Sequence, residues 1–171
     1  ESNGYPVMIR GLVDGKPSET EHQAKGVTAA YSAHHDWAAI LDLGASVDVI
    51  LSNTGDKGYE LDRSDDSSLL ANPDALPKSF PAKLLVLLHH RWQHNPDAPL
   101  SLFPCELISR NGDRLRSILI DLAHDWKLPD GFVQWLETRC IFANSLVDRI
   151  VSEPIEPIGA IAEPYALWAI E

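Results

Sequence analysis

From residue 36 onward the apolar positions change rhythm repeatedly, and each change marks an element. Leu115, Ile118, Leu119, Leu122, Ala123 and Trp126 fall three or four apart and form one apolar stripe. That spacing predicts a helix opening at Asn111-Gly112-Asp113. Pro81 suits a first helical turn and starts a second helix that runs to about His94. Asp36 can cap a short helix carrying Trp37, Ile40 and Leu41, with Gly44 as its stop. Pro129-Asp130 opens another, with Phe132 and Leu136 on one face. Between them lie short apolar, β-branched runs: Val47 to Leu51, Leu100 to Phe103, Cys140 to Phe142, and then Asn144 to Val151.

The first 35 residues read as strand, turn, strand. Pro6 to Arg10 leads into the turn signal Asp14-Gly15-Lys16-Pro17, and Val27 to Ser32 is the second expected strand. Glu60 to Ser79 is polar and reads as a surface excursion; 153–164 is rich in proline and reads as a connector. Strands alternating with helices imply an α/β fold with a largely parallel sheet and helices packed on its faces. Ligands in such sheets bind beyond the carboxyl ends of the strands. Two of those ends are polar here, Ser52-Asn53-Thr54 and Cys105-Glu106. They are the first places to look for a site.

Charge removes some partners from consideration. Lys plus Arg total 14 against 25 Asp plus Glu, a formal charge of −11. This disfavours nucleic acid, whose affinity comes from cations neutralising phosphates, and it disfavours an anionic membrane surface. An anionic small substrate stays open, because one local cation suffices to hold it. The two cysteines, Cys105 and Cys140, form no C-x-x-C pair. They suit a reducing cytoplasm better than a disulfide framework or a zinc knuckle. No apolar run approaches the roughly 20 residues that span a bilayer.

Three segments carry a family resemblance: SNTGDKGY at 52–59, PCELISRNGDRLR at 104–116 and NSLVDRIV at 144–151. Together they resemble the polyol-specific long-chain dehydrogenases, the mannitol dehydrogenase superfamily. The Pro-Cys-Glu-Leu-Ile form resembles that family's tagaturonate reductase branch. The resemblance implies a Rossmann-like domain over 1–152, with 153–171 as a connector towards a C-terminal helical catalytic domain. It implies an oxidoreductase that moves hydride between NAD and a small sugar acid. It also implies that this chain is a piece lacking two parts. The family's first strand and Gly-rich phosphate loop are not seen, since no glycine here lies in G-x-G-x-x-G. No K-x-x-x-x-N-x-x-H of the catalytic domain occurs either.

The same resemblance implies roles. Ser52, Asn53, Thr54, Cys105 and Glu106 would meet the cofactor, Asn53 and Thr54 through ribose or amide hydrogen bonds and Glu106 through a hydroxyl. Asp148 would support the catalytic lysine, and Arg149 could pair with a substrate carboxylate. The family's C-D-N triplet is Cys105-Glu106-Leu107 here, so the asparagine that helps hold the reacting oxygen is replaced by leucine. Asn111 or Asn53 would have to stand in. Each role has a plainer counterpart: a structural Asp148–Arg149 ion pair, a turn at Asn53-Thr54, a surface carboxylate at Glu106, a helix cap at Asn111. His90 and His94 share a helix face, yet no third ligand is evident and no metal is expected. Alternatives are a mannitol or fructuronate dehydrogenase, a hydrolase with Cys105 as nucleophile, and a non-catalytic folding domain.

Overall fold

A computed structural model describes residues 4–55 and 57–171. The chain clusters into two compact units. One comprises Glu1–Ala30 and Val147–Ala169, the other Tyr31–Leu146 and Ile170–Glu171.

The larger unit is α/β, as the alternating pattern requires. Strands β3 (Val49–Ser52), β4 (Leu100–Pro104) and β5 (Cys140–Phe142) pair in that order, all parallel. Helices α1 (Trp37–Gly44), α2 (Phe80–His94), α3 (Asn111–Asp125) and α4 (Asp130–Thr138) alternate with them. The register sets Ile50, Leu102 and Phe142 side by side, and Leu100 beside Cys140, on the covered face of the sheet. Leu100 and Leu102 are each 1% exposed, packed with Leu85 and Leu88 of α2, Leu115 and Leu119 of α3, and Phe132 and Leu136 of α4. The other face carries the exposed Val49, Leu51 and Ile141. The stripe on α3 is core throughout its buried positions, Leu115, Leu119, Leu122, Ala123 and Trp126. Asp36 does not cap α1: its carboxylate turns back to accept from the Ser32 N–H at 2.8 Å. The polar excursion holds one short 3-10 helix, Ser67–Ala71.

The smaller unit departs from the sequence expectation twice. No strand forms over 27–32; the partner of β1 (Tyr5–Val13) is β2 (Lys16–Ala24), paired antiparallel from Val13↔Lys16 to Tyr5↔Ala24. The turn was legible, and its physics explains the register. Asp14 and Gly15 both have positive φ, 53° and 73°, as a two-residue hairpin turn demands. The second departure is the proline-rich tail. It contributes β7 (Val151–Pro154) and β8 (Ala160–Ala162), and β8 inserts between β1 and β7 to complete the order β2-β1-β8-β7. So 153–169 folds with the hairpin instead of acting only as a connector. β6 (Ser145–Asp148) and β9 (Leu167–Ile170) form a separate two-stranded ribbon.

Candidate functional site at the carboxyl ends of the parallel strands

Both polar strand ends belong to the larger unit, and one side chain joins them. Glu106 lies two residues beyond β4 and is 3% exposed. Its Oε1 accepts from the Thr54 N–H at 3.1 Å and the Thr54 hydroxyl at 3.0 Å. Its Oε2 accepts from the Ser52 hydroxyl at 3.0 Å and the Tyr59 hydroxyl at 3.2 Å. A carboxylate offers about four lone-pair positions, and four donors meet them. This satisfies a charge that would otherwise be costly to bury. The backbones are tied as well, with Cys105 N–H donating to Ser52 O at 2.7 Å.

Tyr59 extends the link to α3. Its hydroxyl lies 3.2 Å from Glu106 and 3.2 Å from the Asn111 carbonyl, so one proton is shared between two acceptors. Burial, and then the charge and hydrogen bond of Glu106, hold the Tyr59 phenol far above its ordinary pKa. It therefore stays a neutral donor. Asn111 is fully buried. Its Nδ2 donates to the carbonyls of Pro104, Glu106 and Ser145 at 2.8–3.0 Å, and its Oδ1 accepts from the N–H groups of Gly112 and Ser145. The Ser145 hydroxyl donates to Pro104 O and sits 3.9 Å from Cys105 Sγ. Thus the ends of β3 and β4, the start of α3 and the exit from β5 are stitched by one buried polar network. Gly112 permits a close approach of backbone to backbone in it: a Cβ there would stand 2.4 Å from Ala143 O.

The structure divides the residues expected at the site. Ser52, Thr54, Glu106 and Asn111 come together, but their polar groups are engaged with one another and with backbone. Glu106 was expected to face a ribose hydroxyl and Asn111 a reacting oxygen. In this structure both side chains are buried and bond to the protein's own donors and acceptors. Asn53 is exposed, and its side chain makes no hydrogen bond among the described residues. Cys105 is half-buried, with Phe103 O and Ser145 as its hydrogen-bond neighbours and no histidine among them, which leaves a Cys–His nucleophile without its base. Leu107 is 88% exposed at the tip of β4.

Asp148 and Arg149 are exposed and lie in the smaller unit. Arg149 donates through its guanidinium to the Glu163 carbonyl at 3.0 and 3.2 Å, while the Glu163 carboxylate accepts from Ile150 N–H at 2.6 Å. The ion pairs seen among the described residues are Arg10–Glu19 and Arg110–Asp113, with His90 Nε2 3.4 Å from an Asp42 carboxylate oxygen, so Asp148 and Arg149 do not pair. The His90 and His94 rings lie tilted against each other at 32°, with centroids 4.2 Å apart. Among the described residues no group of three or more His, Cys, Asp or Glu could hold a metal ion, and no helix is long and apolar enough to cross a membrane. A cavity of about 320 Å³ opens at the entry to α1, between His34, His35, Trp37 and Asp74.

Sequence reasoning missed two members of the framework. Tyr59 was seen only as part of a motif, and its partner Glu106 is 47 residues away. Ser145 was likewise seen only as part of the 144–151 motif, and its partners Pro104 and Asn111 are 41 and 34 residues away. The only usable signal for either is that polar residues recur where strands end.

The chain matches the family model described as the mannitol dehydrogenase Rossmann domain over residues 12–171. It is 33% identical over 186 residues to the altronate oxidoreductase of Bacillus subtilis (strain 168), covering 98% of this chain and 38% of that protein. It is 35% identical over 164 residues to the altronate oxidoreductase of Klebsiella pneumoniae (strain 342), covering 92% and 33%. The chain thus spans 33–38% of the length of these relatives. In fold it resembles the Pseudomonas fluorescens mannitol 2-dehydrogenase solved as a ternary complex with NAD and D-mannitol, at TM-score 0.77 and 19% identity, over 98% of this chain and 38% of that one. It also resembles a D-sorbitol dehydrogenase in substrate-free form, at TM-score 0.77 and 17% identity, over 97% and 38%.

Proposed function

The chain belongs to the mannitol dehydrogenase Rossmann-domain family, and we propose that it forms part of the nucleotide-binding domain of an NAD(H)-dependent oxidoreductase acting on a sugar acid. The substrate class is of the tagaturonate–altronate type, interconverting a carbonyl and a CH–OH group. Hydride transfer is a property of the whole protein, of which this chain supplies one portion. The observation that carries the reading is the stitched set of parallel strand ends, since dinucleotides bind beyond such ends in sheets of this class. The similarity to altronate oxidoreductases favours a sugar acid over a neutral polyol.

The strand-tip groups fit a dinucleotide. Ser52, Asn53 and Thr54 are small, uncharged and rich in hydrogen-bonding atoms, with Asn53 facing solvent and the Glu106 carboxylate buried behind it. Asn53, with Thr54 and Cys105 beside it, would hold ribose or carboxamide groups. Ser52, Thr54, Glu106 and Asn111 would keep that surface in shape. Asp148 would support proton transfer, and Arg149 would meet the substrate carboxylate. The nicotinamide supplies or accepts the hydride when bound. Two free thiols suit work in the cytoplasm.

Titrating the chain with NADH while following the nucleotide's fluorescence tests the reading. Saturable enhancement is expected. A linear response up to millimolar NADH, together with no NADH oxidation by tagaturonate in the whole protein, would refute it.

A further inference from the structure

We propose that Glu106 is a positioning residue: its buried carboxylate fixes the strand-tip loop 52–59 in the shape that presents Asn53 to the dinucleotide, through hydrogen bonds and not through its charge. The proposal deepens the function given above, and rests on it only for the identity of the ligand.

Four observations lead here. First, among the described residues every side-chain or backbone donor to the Glu106 carboxylate comes from one segment: Ser52, Thr54 twice, and Tyr59. One acceptor therefore gathers one loop. Second, among the described residues the loop's other ties are the Cys105–Ser52 and Gly58–Gly55 backbone bonds, the bond from Glu60 N–H to Lys57 O, and at Tyr59 the hydroxyl's bond to Asn111 O and stacking on Phe80 with ring centroids 6.4 Å apart. At Ser52 and Thr54 the Glu106 carboxylate is the side-chain anchor. Third, the carboxylate is out of a ligand's reach, being 3% exposed with both oxygens occupied. Fourth, Asn53 sits between the two anchored residues, Ser52 and Thr54. Its peptide and side chain are therefore aimed by anchors on either side.

Glutamine can do the same work. Its oxygen would accept from the Thr54 N–H, the one obligate donor of the set. Its amide would face the Ser52 and Tyr59 hydroxyls, which can turn to accept. Tyr59 would then give its proton to Asn111 O alone. If Glu106 instead acts by its charge, glutamine fails as alanine does.

The experiment compares the wild-type chain with Glu106→Gln and Glu106→Ala. Hydrogen exchange is read over 52–60 and, as an internal control, over the buried turns of α3 and α4; NADH affinity is read by fluorescence. Glu106→Ala should exchange roughly tenfold faster at the loop with the helices unchanged, and should weaken NADH roughly tenfold. Glu106→Gln should stay within about threefold of wild type in both. Should Glu106→Ala fail to fold, the double variant Ser52→Ala/Thr54→Val removes two hydroxyl donors from the same carboxylate and takes its place.

Unchanged loop exchange in the alanine or double variant overturns the proposal. So does a glutamine variant as loose as alanine, which would assign the effect to charge. If wild type binds no NADH and the whole protein does not oxidise NADH with tagaturonate, the functional reading falls, while the exchange measurement still decides whether Glu106 fixes the loop.

Discussion

Replacing Arg91 with methionine tests what holds the parallel sheet in place at the end opposite the candidate site. Arg91 is fully buried in the last turn of α2, and no carboxylate pairs with it among the described residues. Its guanidinium donates to Gly44 O at 2.9 Å, Val47 O at 2.7 Å and Pro99 O at 3.2 Å. It thereby clamps the end of α1 and the approaches to β3 and β4. The partial negative charge at the C-terminus of α1 substitutes for a counterion.

Each bond from a charged donor contributes about 1.5–3 kcal/mol, so three removed together cost roughly 5–9 kcal/mol before compensation. Sparing the burial of a cation returns several kcal/mol. Methionine fills much of the space but leaves three carbonyls without a donor, so a net loss of about 3–5 kcal/mol should remain. Urea titration followed by tryptophan fluorescence reads this directly, and the thermal midpoint should fall by roughly 10 °C. Arg91→Lys should recover part of the loss, since one ammonium reaches fewer carbonyls. A methionine variant within about 1 kcal/mol of wild type would show that desolvation cancels the clamp, and would refute the reasoning.

Two further outcomes follow from packing and protonation. Gly112→Ala places a Cβ 2.4 Å from Ala143 O, backbone that cannot swing away; a loss of about 1–3 kcal/mol in a denaturant melt is expected, and a neutral result would mean α3 shifts freely. His89 packs against Trp92 and Phe132, and burial, then the neighbouring His90, holds its pKa below the ordinary value. The folded state thus favours the neutral ring, and this contribution is present above about pH 6.5 and lost as pH falls. Stability measured from pH 7 to 5 should drop less in His89→Leu than in wild type; parallel curves would remove His89 from the acid response.

Legibility tracked how local the determining signal was. The stripe from Leu115 to Trp126 and the short runs at 100–103 and 140–142 declared α3, β4 and β5, because burial of one face imposes a period on neighbouring residues. β2 was invisible for the opposite reason. Lys-Pro-Ser-Glu-Thr-Glu-His-Gln-Ala has no apolar alternation, since almost every residue faces solvent and its partner β1 supplies the pairing. The tail's prolines suggested a connector, yet Pro154 ends a strand at the edge of its sheet, where a missing N–H costs nothing. At the site, motif residues marked the right strand ends. Their division into buried framework and exposed surface depends on contacts 34 to 54 residues apart, as from Asn111 to Ser145 and Ser52 to Glu106, which no local pattern encodes. Nothing beside Arg91 in the sequence announces its three carbonyl partners.

The charged character of β2 has a colloidal consequence. An outermost strand with free backbone groups invites another molecule's strand to continue the sheet. Here that border carries Lys16, Glu19, Glu21 and His22, with Glu19 tied to Arg10 at 2.7 Å, and the opposite border, β7, is broken by a bulge between Val151 and Glu153. Any strand arriving at either margin would have to strip water from ions or bridge a kink, so concentrated solutions should resist fibril growth through this sheet.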